Sequence, residues 1–150
     1  MNRFFIFFAV VLMVVCTTPT LNTYNFAQQY SGKYYFYTTQ NYNSNITTTT
    51  QNGNGYIISC DINKSKLVKN ALNKNLLFGE SFSFVGDEKD INSILQKLDV
   101  FYSTKNNLDI IAYSPKIDYA HTLNGKLYNV QISKNNNVVN VGFPAILGGF

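Results

Sequence analysis

From Tyr56 onward the apolar positions switch between a period of two and a period of three to four, and each switch marks an element. YIISCDI (56–62) is a β-rich run. In NKSKLVKNALNKN (63–75), Leu67, Val68, Ala71 and Leu72 share one helical face with lysines opposite, and Asp61 or Asn63 stands where an N-cap belongs. In LLFGESFSFVG (76–86), Phe82 and Phe84 point one way while Ser81, Ser83 and Val85 point the other, which predicts a strand. DEKDINSILQKLD (87–99) predicts the clearest helix. Asp87 can cap it, and Ile91, Ile94, Leu95 and Leu98 form one stripe. Asp87, Glu88 and Asp90 lie in its first turn, where the helix dipole favours them without any metal.

VFYSTK and LDIIAYS flank Asn106-Asn107 and predict a hairpin ended by Pro115. KIDYAHTLNG (116–125) reads as a loop. KLYNVQIS and VVNVGFP form a second hairpin across KNNN, with Tyr128, Val130 and Ile132 on the buried face. The N-terminal part is less regular. Residues 22–33 read as a tether, and Tyr34–Tyr37 as a short aromatic strand. The Asn/Thr-rich stretch 38–55 reads as a low-complexity loop that cannot repay its ordering entropy. The resulting expectation is a tether over 22–55 and an α+β domain over 56–150. That domain would be one mainly antiparallel sheet with two helices packed on one face.

The chain opens MNRFFIFFAVVLMVVCTTPT. Arg3 and an unbroken apolar run from Phe4 to Val15 fit a signal peptide over 1–21 better than a full membrane span, which needs about 20 apolar residues. A retained membrane anchor helix extended to Leu21 is the alternative. Cys16 sits where a lipidated cysteine would, although Val15 is a poor residue to precede it. The chain is therefore expected to be exported, either secreted or held at the outer face of the cytoplasmic membrane. With the leader removed, Cys60 is the one remaining cysteine and reads as a buried thiol.

The 150 residues make about one domain, and 45% hydrophobic residues supply a real core. Charged residues are only 13%, which argues against a coiled coil. The net charge of +4 comes mostly from scattered lysines. Lys64, Lys66, Lys69 and Lys74 form the one cluster, readable as a solvated helix face or as a polyanion site. No basic stripe interleaves the tyrosines, so no nucleic acid is expected.

No nucleophile elbow, phosphate-binding loop, zinc-protease or dinucleotide motif is present, and the single histidine, His121, excludes a multi-histidine metal site. Cys60 with His121, or Asp118 with His121, are the conceivable reactive pairs of a small envelope hydrolase. Glu80 is the one carboxylate near a strand end, and it lacks the second carboxylate of a glycosidase. No catalytic residue, cofactor or metal is expected.

Residues 123–150, LNGKLYNVQISKNNNVVNVGFPAILGGF, resemble the end of the YwmB-like envelope proteins of Firmicutes. The matching positions are Asn129, Gln131, Ile132, Val139, Val141, Gly142 and Pro144. The helix DINSILQKL and the turn Tyr113–Lys116 look like the same group. Ser133 and Phe143 depart from its pattern, which has alanine and commonly threonine there. The resemblance implies an exported α+β protein with a sheet similar to TATA-box-binding-like folds, a likeness of fold that carries no DNA-binding inference. No catalytic residue comes with it. The resulting expectation is a non-enzymatic binding or accessory module. It would meet an envelope protein or cell-wall component through its sheet or C-terminal hairpin, at Asn129, Gln131, Gly142 and Pro144, and touch the membrane through its N-terminal segment.

Overall fold

The computed structural model describes residues 21–106 and 109–147. Its centre is an eight-stranded sheet in which every pairing among the described strands is antiparallel. The strands are β1 (Gly32–Thr38), β2 (Thr48–Asn52), β3 (Gly55–Asp61), β4 (Leu77–Val85), β5 (Tyr102–Asn106), β6 (Asp109–Tyr113), β9 (Val130–Asn135) and β10 (Val138–Phe143). Their spatial order is β2-β3-β1-β4-β10-β9-β6-β5. A separate small hairpin joins β7 (His121–Leu123) to β8 (Lys126–Tyr128). Among the described residues there are three α-helices: α1 (Thr23–Ala27), α2 (Ser65–Ala71) and α3 (Glu88–Lys97). The molecule is α+β, as the alternation of periods predicts.

Strand alternation sorts the sheet into two unlike faces. Tyr34, Phe36, Ile58, Cys60, Phe82, Phe84, Ile132, Val139 and Val141 point to the helices and are buried. Val68 of α2 and Ile91, Ile94 and Leu98 at α3 close over them. The other face carries the small polar side chains Ser81, Ser83, Ser133 and Asn140, all buried. Part of that face is covered by the segment that follows β10. Beyond the cis Phe143–Pro144 bond the backbone returns over Gly142, where a Cβ would stand 2.1 Å from the carbonyl carbon of Ala145. Only glycine permits that approach. Ile146 N–H donates to Gln131 Oε1 (3.1 Å) and Leu147 N–H to Ser81 Oγ (3.0 Å), holding the return in place.

Residues 22–55 are part of this domain, not a tether. Phe26 and Ala27 of α1 are buried in the core, and β1 sits near the middle of the sheet between β3 and β4. The Thr-rich stretch forms β2 because β3 supplies its ladder, with Gly53 at φ +56° making the turn between them. The expected loop at 116–125 likewise contains a strand, β7, since Asn124 (φ +51°) and Gly125 (φ +78°) form a tight hairpin turn. In α2 the inward positions are Ser65, Val68 and Leu72, and Leu67 is 62% exposed. The spacing 65-68-72 is the true stripe, and Leu67 lies about 100° away from Val68 around the axis. Asp61 pairs with Lys33 instead of capping. The expected leader and Cys16 lie outside the described residues. Among those residues, no helix is long and apolar enough to cross a membrane.

Helix α3 begins as its sequence predicts. Asp87 Oδ1 accepts the N–H groups of Lys89 (2.8 Å) and Asp90 (3.2 Å), while Asp90 Oδ2 accepts the N–H of Asp87 (2.9 Å). This reciprocal box satisfies donors that the first turn leaves unpaired. The same backbone bonds, with Asp90 N–H first, hold the Asp87 carboxyl below its ordinary value of 3.8. A depressed folded value means that the contribution to stability is complete above 3.8 and is lost as pH falls below it through the folded value. Asp87→Ala is therefore expected to lower the thermal midpoint at neutral pH. The gap to the wild type should close in acid, as melts across a pH series would show.

Candidate functional site

Alternation along β4 places Glu80 on the same face as Phe82 and Phe84, with Phe36 and Phe143 as its cross-strand neighbours. A carboxylate there is 4% exposed. Such a charge is costly to bury unless it is fully partnered. Three elements supply the partners. Thr23 Oγ1 of α1 and Tyr34 Oη of β1 each donate to Glu80 Oε2 at 2.5 Å. Lys69 of α2 forms an ion pair with Oε1. Lys69 Nζ also donates to Thr23 Oγ1 (3.5 Å) and lies 5.2 Å from the centre of the Tyr24 ring. Burial first, and the Glu80 charge second, raise the Tyr34 phenol well above its ordinary value, so it remains a donor.

Above this cluster opens a cleft of about 390 Å³. Asn22, Tyr24, Lys69, Lys74, Asp118 and Tyr119 line it, with Glu80 at its floor. The Tyr119 hydroxyl donates to the Phe143 carbonyl at 2.8 Å, which fixes the ring's direction. Burial and the Glu80 charge raise the Tyr119 phenol as well. Both oxygens of Glu80 are engaged, and the Lys69 charge is neutralised. The arrangement is a polar floor whose charged groups are tied to one another and to two hydroxyls.

Of the residues singled out by sequence, Lys69, Lys74, Glu80 and Asp118 come together at the cleft, and the others lie apart from it. Cys60 lies in the core opposite Tyr34, and burial pushes its thiol up to about 12, away from the thiolate form. His121 is exposed on β7, with its ring 5.9 Å from that of Tyr128, and no hydrogen bond joins it to Cys60 or Asp118. Of the four clustered lysines, Lys64, Lys66 and Lys74 are exposed while Lys69 turns inward to Glu80, so they do not form one basic face. Among the described residues no three His, Cys, Asp or Glu side chains converge as a metal site.

The four expected partner-binding residues are occupied with the fold itself. Asn129 is fully buried and bonds Ser114 N–H (2.8 Å), Ser114 O (2.8 Å) and Ile117 O (3.3 Å). Gln131 holds Ile146 and Asp109. Gly142 lies under the returning chain, and Pro144 turns that chain back. The C-terminal hairpin β9–β10 is interior to the sheet, flanked by β6 and β4, so neither strand has a free edge. The sequence did carry one signal for Glu80: its parity with Phe82 and Phe84 marks a carboxylate on an apolar face. Its three partners carry no local signal. No protein-family model, curated protein or solved structure matches the chain.

Proposed function

We propose that this chain is an exported, non-enzymatic binding module of the cell envelope, and that it binds through the cleft above Glu80. The observation that carries the reading is the Glu80 carboxylate fixed by donors from α1, α2 and β1. A floor tied to three elements is preorganised for recognition, and its charges are spent on each other. Export is supported by the charged start and apolar run of residues 1–15, and the envelope by the resemblance of residues 123–150.

The test is co-sedimentation with envelopes purified from the native host, with an intact mass of the native protein from the same fractionation. The expected result is a protein recovered outside the cytoplasm that pellets with envelopes. Lys74→Ala/Asp118→Asn should pellet at least about tenfold more weakly with an unchanged thermal midpoint, since both side chains are exposed at the cleft. A full-length cytosolic protein that ignores envelopes would overturn the proposal.

A further inference from the structure

We infer that the cleft takes a neutral saccharide, an inference that rests on the cleft being the binding site. Its formal charges sum to zero, because two lysines, Lys69 and Lys74, and two carboxylates, Glu80 and Asp118, line it. An anion would meet the Asp118 carboxylate in the lining, and the Lys69 ammonium is already paired. A cation would meet Lys74 and find both Glu80 oxygens taken. A purely apolar ligand would strip water from Asn22, Lys74 and Asp118 and return no hydrogen bonds. What remains is an uncharged molecule with many hydroxyls and an apolar face.

The walls suit that description. Tyr119 is 41% exposed, and its ring is oriented by the bond to Phe143 O. Tyr24 is half-buried and held by the Lys69 ammonium. Two positioned aromatic rings can receive the C–H face of a pyranose, while Asn22, Asn70 and Asp118 in the lining supply donors and acceptors for its hydroxyls. The volume of about 390 Å³ falls within the range of small-molecule sites, roughly 300–1,000 Å³.

The experiment is a two-dimensional NMR titration of the protein with chitotetraose and with maltotetraose, both neutral, beside inorganic polyphosphate. The expected result is that one of the sugars, in the millimolar range, shifts the amides of Leu21–Tyr24, Lys69, Asn70 and Ile117–Tyr119, and that added salt leaves the shifts in place. Tyr119→Ala should weaken binding at least about tenfold. Asp118→Ala, at an exposed position, should weaken it without altering the rest of the spectrum. Salt-sensitive binding of polyphosphate alone at these amides would overturn the inference in favour of an anion site. Silence of both sugars while envelopes still pellet the protein would overturn the saccharide class and leave the binding reading standing. Silence in both assays would remove both.

Discussion

Phe82→Ala is expected to destabilise the protein by about 3–5 kcal/mol, the usual cost of emptying a large buried aromatic site. Phe82 is fully buried, and its ring lies 6.1 Å from Phe26, 5.7 Å from Tyr30, 6.3 Å from Tyr34, 5.9 Å from Phe84 and 6.2 Å from Phe143. These rings come from α1, the turn after it, and strands β1, β4 and β10. One truncation therefore loosens five parts of the fold together, and the surrounding strands have little freedom to collapse into the space. The control is Val85→Ala on the opposite face of the same strand, 79% exposed, where a change within about 0.5 kcal/mol is expected. Denaturant melts of the two variants with equal slopes would give the comparison directly. Equal losses would mean that the faces of β4 are wrongly assigned.

The alternation that makes this contrast sharp was legible in FGESFSFV, as was α3 from its capping aspartate and its 91-94-95-98 stripe. Both are local patterns, and local patterns survive when a sequence is read without a structure. Residues 22–55 were not legible for the opposite reason. Nothing in TTTTQNGNG repays its own ordering, and β2 exists because Thr48–Asn52 lies beside Ser59–Gly55. Asn124-Gly125 was a stronger hint, since Asn-Gly favours two positive φ angles, but its flanks lack the alternating apolar residues that mark a hairpin. The cleft was hidden most completely. Thr23 and Tyr34 are 57 and 46 positions from Glu80, so only the antiparallel register and the packing of α1 bring them together. Lysine clustering pointed outward to polyanions, whereas one of the four lysines was needed inside.

Glu80→Ala should cost about 3 kcal/mol, the lower end of the loss seen when one partner of a buried ion pair is removed. The lower end applies because Lys69 keeps 20% of its side-chain surface exposed and can turn its ammonium toward the water of the cleft. Thr23 and Tyr34 have no such escape, and each loses its acceptor. Glu80→Gln separates the two effects. Its amide oxygen still accepts from the hydroxyls, so the expected loss falls to about 1–2 kcal/mol and reports mainly the charge. Adding Lys69→Met to Glu80→Gln should recover part of that loss, since the double variant buries neither charge. The coupling read from this cycle isolates the ion pair from the hydroxyl network. Strict additivity of the two single losses would mean that Lys69 and Glu80 are adjacent without interacting. The floor of the cleft would then owe its rigidity to Thr23 and Tyr34 alone, and Lys69 would be free to carry its charge to a ligand.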